Sequence, residues 1–163
     1  MTNFNELLGQ TISNLHSFEF VLRNFLFFHN ENAQYKSPIA SDLYLLKKHD
    51  ETKLTDFTSY DSLGKLIEKA NSILLTKGIP LIDRNVEDIR DCFAHGRVAF
   101  FGNGDTKILL KFSKPAKGAN IVTLTDRLEL TDVWFKDFNS IIISYVKTLT
   151  ELTIKRTPPS FFR

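Results

Sequence analysis

A run of apolar residues at helical spacing over residues 3–29 constrains the fold of this chain more than any other feature. The side chains recur at steps of three and four residues, which is the period of one face of an α-helix. This apolar stripe consists of Phe4, Leu7, Leu8, Ile12, Leu15, Phe18, Leu22, Phe25 and Leu26. Val21 and three further phenylalanines widen it beyond one face. We therefore expect a long helix that is buried on more than one side or that meets a second subunit.

Two shorter helices are predicted in the middle of the chain. The first covers residues 61–77, where Asp61 or Ser62 provides the N-cap. The second covers Val86–His95. Gly96 follows directly, and we expect it to adopt the left-handed conformation that ends many helices.

Strand-like segments and a final helix complete the predicted architecture. The three segments are residues 98–101, 107–112 and 121–124, the last extending to about residue 130. Helical spacing then covers residues 132–156, with Thr131 as a plausible cap. The pattern predicts a mainly α fold, a bundle of four to five helices with a small antiparallel sheet inserted at about residues 97–130, before the C-terminal helix. No linker or repeat divides the chain, so residues 1–163 are expected to form a single domain.

Composition narrows the functional classes. The chain has 163 residues, a net charge of +2 and one cysteine, Cys92. An internal disulfide is therefore impossible, and a reducing, cytoplasmic location is expected. The first residues lack a secretory signal pattern, and no apolar stretch approaches the roughly 20 residues of a membrane helix. Phosphate-binding glycine loops, HExxH, cysteine pairs and GxSxG are absent, so chemistry without a metal or cofactor is expected.

The segment from Arg90 to Gly96 is the predicted functional site. His95 should lie in the last turn of its helix, and Asp91, four residues earlier, should share its face and fix the imidazole by a hydrogen bond. Arg90 can grip phosphate oxygens and stabilise transition-state charge, while His95 transfers a proton. Arg97 is a second phosphate ligand. These residues suit cleavage of an RNA phosphodiester, with Arg90, Asp91 and His95 as the catalytic group.

The spacing of Arg90 and His95 also has a purely structural interpretation. Arg90 can pair with Glu87 or Asp88, and His95 can cap its own helix. The chain contains a second such spacing in Arg23-Asn24-Phe25-Leu26-Phe27-Phe28-His29. We interpret this second Arg–His spacing as structural and not as a functional motif. It lies in a very apolar helix, and Glu19 is positioned to pair with Arg23.

The segment IRDCFAHGR, residues 89–97, resembles the signature of the HEPN superfamily (higher eukaryotes and prokaryotes nucleotide-binding domains). The ribonuclease motif of that family is Arg, then four to six residues, then His, with a polar residue directly after the Arg. Arg90, Asp91 and His95 match these positions. The order of a long helix, a shorter helix, the motif helix and a long C-terminal helix is similar too.

This resemblance implies a metal-independent endoribonuclease that acts as a homodimer, with the two motifs meeting at the interface. It also implies a toxin–antitoxin, phage-defence or RNA-processing setting, with a cognate antitoxin or regulatory protein as a partner in some cases. The motif supplies one histidine in each subunit, which is too few for two proton transfers, and a symmetric dimer would bring two such motifs together. The alternative is a non-catalytic helical binding or regulatory module, similar to mannitol-repressor-like relatives. The aromatic excess on the first and last helices favours that alternative.

Overall fold

The long apolar stripe forms one continuous helix in the computed structural model, which describes residues 3–30, 46–52, 54–102, 106–115, 117–118 and 120–154. The helices within these ranges are α1 (Phe4–Asn30), α2 (Leu63–Thr76), α3 (Asn85–His95) and α4 (Asp132–Ile154). The strands are β1 (Arg97–Phe101), β2 (Thr106–Phe112) and β3 (Leu124–Glu129). The described chain is thus mainly helical, with a small sheet before the C-terminal helix, as predicted. None of its helices combines the length and the apolar character needed to span a membrane.

The predicted caps of α2 and α4 are confirmed. The Ser62 hydroxyl accepts a hydrogen bond from the backbone N–H of Lys65 at 3.3 Å. The Thr131 hydroxyl accepts one from the N–H of Trp134 at 3.0 Å. Each hydroxyl satisfies a backbone donor that has no partner in the first turn of its helix, which fixes where the helix begins.

The sheet is an antiparallel meander in the order β1-β2-β3. Its third strand begins later than predicted, at Leu124 rather than at residue 121. The reason is an irregularity in the pairing register between Lys111 and Phe112, beyond which the regular ladder ends. Thr123 still contacts Ser113, whose N–H donates to the Thr123 carbonyl at 2.8 Å. The sequence Gly102-Asn103-Gly104-Asp105 predicts a turn between β1 and β2, and residues 43–46 predict a short helical segment; both lie mostly outside the described residues.

The chain divides into two compact units. Unit 1 comprises Met1–His16 and Asp83–Ser144, and unit 2 comprises Ser17–Ile82 and Tyr145–Arg163. Unit 1 therefore holds the first part of α1, all of α3, the sheet and the first part of α4, up to Ser144. The predicted functional residues all belong to unit 1.

The core of unit 1 joins its helices to one face of the sheet. Its buried members are Leu7, Cys92, Leu109, Leu130 and Phe135. The register pairs Leu109 with Val98 on one side and with Leu128 on the other, so one apolar row crosses all three strands. Aromatic rings close the margin of this core, with Phe4 packed edge-on against Phe135 at 5.8 Å between centroids.

Unit 2 contains a largely buried arginine, Arg23, whose hydrogen bonds hold residues 59–61 against α1. Arg23 forms an ion pair with Glu19 at 2.9 Å. Its guanidinium also donates to the carbonyls of Ser59 at 3.0 Å and Asp61 at 3.1 Å. Only 15% of the Arg23 side chain is exposed. The pairing with Glu19 was predicted, and the structure confirms Arg23 as a residue that holds the fold of unit 2.

A cluster of ion pairs ties the segment around residues 56–61 to α2. Lys69 lies 2.7 Å from an Asp56 carboxylate oxygen and 2.8 Å from an Asp61 oxygen. Lys65 contacts the other Asp61 oxygen at 2.7 Å. These contacts lower the pKa of Asp61 to about 2, chiefly through the hydrogen bonds from Lys65 and Lys69. The cluster fixes the segment that precedes α2.

Candidate functional site

Helix α3 presents the predicted functional side chains away from its buried face. Val86, Ile89 and Cys92 are buried and recur every three residues, so they form the inward face. Arg90 and Asp91 are half-buried, whereas His95 is exposed. The local sequence therefore places the predicted catalytic group beside the core of unit 1 and not within it.

The end of α3 differs from the prediction for Gly96. This glycine is extended, with φ −79° and ψ 176°, and it is not left-handed. Its N–H donates to the Cys92 carbonyl at 2.7 Å, and β1 begins at the next residue. A Cβ atom at position 96 would collide with the Cys92 carbonyl oxygen and would lie 2.8 Å from Leu109 Cδ1. The expected left-handed terminator was wrong, because glycine is required here by the close approach of β2 and of its own helix.

Asp91 pairs with Arg90 in the structure. Arg90 Nη1 lies 3.2 Å from Asp91 Oδ1, and about two-fifths of each side chain is exposed. Within the part of the chain that the structure describes, no hydrogen bond joins Asp91 to His95. The expected contact that would fix the imidazole is thus replaced by a contact that holds the guanidinium. A permanently charged arginine is a stronger partner for a carboxylate than a histidine that is neutral at high pH.

Arg97 leaves the helix end on the first residue of β1. Its guanidinium carbon lies 5.7 Å from the centre of the Phe112 ring, a cation–π arrangement. The residue is exposed. Aromatic packing orients this cation without neutralising it, so Arg97 remains able to contact a phosphate.

Arg90 also lines a small pocket between α3 and the start of α1. The pocket has a volume of about 140 Å³ and is open to solvent. Its walls are Ile12, Leu15 and His16 from α1, and Arg90, Phe93 and Ala94 from α3. His95 is not among these residues. The structure thus places Arg90 and His16 at one pocket, whereas His95 is exposed at the end of the same helix and is not part of that pocket.

Sequence reasoning did not select His16. It lies far from Arg90 along the chain and carries no motif of its own. The available clue was that His16 follows Ile12 by four residues, which puts a titratable group on the edge of an apolar helix face. Which helix packs against that edge depends on tertiary structure.

Metal ligation has no support in the described ranges, where no group of three or more His, Cys, Asp and Glu side chains converges. Arg90 shares the pocket with His16 and pairs with Asp91. This arrangement can bind an anion through the guanidinium and can exchange protons through an imidazole. Comparison with protein-family models, with curated proteins and with solved structures found no match for this chain.

Proposed function

We propose that this protein is a metal-independent endoribonuclease of the HEPN type, in which Arg90, Asp91 and His95 act on an RNA phosphodiester. The observation that carries the proposal is the solvent-accessible group at the end of α3. It combines an oriented guanidinium, an exposed imidazole at His95 and a second cation at Arg97. Each of these groups supplies one requirement of phosphodiester cleavage.

The proposed reaction is an internal transesterification. The ribose 2′-oxygen attacks phosphorus, the bond from phosphorus to the 5′-oxygen breaks, and a 2′,3′-cyclic phosphate and a 5′-hydroxyl result. One group accepts the 2′-hydroxyl proton and another donates a proton to the 5′-oxygen. Arg90 binds the non-bridging oxygens, where negative charge accumulates in the transition state. Asp91 positions the Arg90 guanidinium, and Arg97 contacts a phosphate of the bound RNA.

A homodimer is part of the proposal. His95 supplies one imidazole in each subunit, whereas the reaction moves two protons. Two motifs that face each other across a dimer interface would supply a pair. Large apolar side chains on α1 and α4 that remain exposed support association, among them Ile12 (37%), Val133 (66%) and Ile141 (47%). RNA as substrate fits a cytoplasmic protein, and a toxin–antitoxin or phage-defence setting follows from the proposed family.

The same exposed apolar side chains favour the second candidate function, a non-catalytic helical binding or regulatory module. A module of this kind needs an apolar docking surface and does not need an arginine beside a titratable imidazole. Sedimentation and pull-down experiments with the full chain test it directly. A protein that stays monomeric and captures no partner contradicts the module.

RNA cleavage in the presence of EDTA tests the leading proposal. Purified protein is incubated with mixed cellular RNA, beside the variants Arg90→Gln and His95→Gln. We expect wild-type cleavage with 2′,3′-cyclic phosphate ends, and a loss of about 10²–10⁴-fold for each variant. Arg84→Gln is the matched control, because this exposed arginine directly before α3 pairs with Glu87 and lies outside the site. Equal behaviour of all four proteins would refute the proposal.

A further inference from the structure

We infer that His16 is a further catalytic residue of this site, the second imidazole of the proposed RNA cleavage, and that it acts in the same subunit as Arg90. The inference rests on the proposed ribonuclease function. The reaction needs a second imidazole, because the motif on α3 supplies one histidine for two proton transfers. The pocket that α1 and α3 form supplies the other.

The location of His16 carries the inference. His16 from α1 and Arg90 from α3 both line one solvent-open pocket. The His16 imidazole is exposed and forms no hydrogen bond or ion pair within the described ranges, so no structural contact explains its place there. Arg90 from α3 is the charged side chain that lines this pocket with His16, and Arg90 is in turn paired with Asp91. An oxygen held by Arg90 would therefore lie in the same pocket as the ring nitrogens of His16.

The size and the walls of the pocket suit a phosphodiester group. A volume of about 140 Å³ is well below the roughly 300–1,000 Å³ of pockets that enclose a drug-sized ligand. A phosphate with part of its ribose is a better match than a whole nucleotide. Ile12, Leu15 and Phe93 make the remaining walls apolar. Apolar walls limit water and strengthen the attraction between Arg90 and a bound anion.

The two imidazoles then share the proton transfers. One of them, neutral, takes the proton from the 2′-hydroxyl as the new bond from oxygen to phosphorus forms. The other, protonated, gives its proton to the 5′-oxygen as the old bond breaks. The pair ends the step with its protonation states exchanged, and no other reactant is consumed.

His16→Gln tests the inference through three readouts. With mixed RNA we expect a loss of about 10²–10⁴-fold and a pH–rate profile that keeps only one limb of the wild-type bell. Ribonucleoside 3′-(4-nitrophenyl phosphates) of the four bases need no acid for their leaving group. On these substrates, one of His16→Gln and His95→Gln should regain activity and the other should not. His49→Asn is the matched control, because His49 is exposed, is not part of the pocket and has a positive φ that asparagine tolerates.

The outcomes separate this inference from the proposed function. Wild-type activity that depends on Arg90 and His95 but changes by less than about threefold in His16→Gln overturns the role of His16 alone. A profile that keeps both limbs in His16→Gln overturns it as well, since a structural defect lowers the rate without removing a titration. Absence of wild-type cleavage overturns the ribonuclease itself. His16→Ala gives a second variant for every assay, because alanine is the strongest helix former.

Discussion

Asn139 on α4 donates a hydrogen bond from Nδ2 to the hydroxyl of Thr11 on α1, at 2.9 Å, in the interior of unit 1. Both side chains are buried, with 5% and 0% exposed. The Thr11 hydroxyl in turn donates to the Leu7 carbonyl, and Asn14 donates to Asn139 Oδ1 at 2.8 Å. A buried polar group is tolerated only when such partners are present, so this contact specifies how α1 pairs with α4.

Replacing Asn139 should destabilise the fold. Asn139→Ala removes two interhelical hydrogen bonds and leaves a cavity, and we expect the free energy of unfolding to fall by about 1–3 kcal/mol. Urea denaturation followed by circular dichroism measures the change. Asn5→Ala is the control, because Asn5 is exposed on α1. An unchanged midpoint for Asn139→Ala would contradict the role assigned to this network.

Gly96→Ala should be costly for a steric reason. The added Cβ meets the Cys92 carbonyl oxygen, Leu109 Cδ1 and the Leu110 carbonyl oxygen, so we expect a loss of about 1–3 kcal/mol. Gly9→Ala on α1 is the matched control, since nothing lies within 4 Å of its Cβ. That variant should gain about 0.5–1 kcal/mol, as for glycine in a helix interior. Equal stability of the two variants in urea would show that the close approach at Gly96 is absent.

Acid should weaken unit 2 through Asp61. Hydrogen bonds from Lys65 and Lys69 lower the pKa of Asp61 from 3.8 to about 2. A carboxyl whose pKa is lower in the folded state contributes stability above its unfolded pKa and loses it as the pH falls through the folded pKa. We expect this contribution to disappear between pH 3.8 and about pH 2. Urea midpoints across this range should fall less in Asp61→Asn than in the wild type. Glu68→Gln, at an exposed position on α2, should behave like the wild type.

The single cysteine should be unreactive in the folded protein. Cys92 is 4% exposed, and desolvation by burial raises the pKa of its thiol. The thiolate is the reactive form, so both effects protect this side chain. Iodoacetamide at neutral pH should leave the native protein unmodified and should alkylate it fully in urea, as read by mass spectrometry. Rapid modification of the native protein would show that Cys92 is not the small core residue that the structure indicates.

Dilution should separate the two sources of a second imidazole. If His16 completes the site within one subunit, RNA cleavage per subunit should stay constant while sedimentation velocity shows the dimer dissociating. If the partner subunit's His95 is needed instead, cleavage should fall in proportion to the dimer fraction. The second result would contradict the inference for His16 and would favour a site shared between subunits.

The helices were predictable because their signals are local. The stripe that begins at Phe4 predicted α1 to within one residue of each observed end, and Thr131 marked the start of α4 correctly. A periodic apolar face and a capping hydroxyl both involve residues that are close together in the sequence. They can therefore be recognised without knowledge of the tertiary structure. The ion pair of Arg23 with Glu19 was predictable for the same reason, since the two residues are one helical turn apart.

The details of the candidate site depended on contacts between distant segments. Gly96 follows a helix, which suggested a left-handed cap, but it is glycine because β2 approaches it. Asp91 has two candidate partners at helical or adjacent spacing, and geometry decides between Arg90 and His95. His16 becomes a neighbour of Arg90 only when α1 packs against α3. Spacing rules describe one element at a time and cannot give these relationships.

The junction at Gly96 also has a consequence for recognition. Because α3 ends at His95 and β1 begins at Arg97, a single residue in a defined conformation separates the imidazole from the neighbouring cation. Ordering a mobile loop on binding costs about 1–2 kcal/mol of backbone entropy for each residue fixed. At this junction the backbone entropy is already lost during folding. A ligand therefore contacts His95 and Arg97 at a separation that is fixed before binding. This fixed separation favours ligands whose charged groups match the spacing of His95 and Arg97, and it disfavours ligands whose charged groups do not.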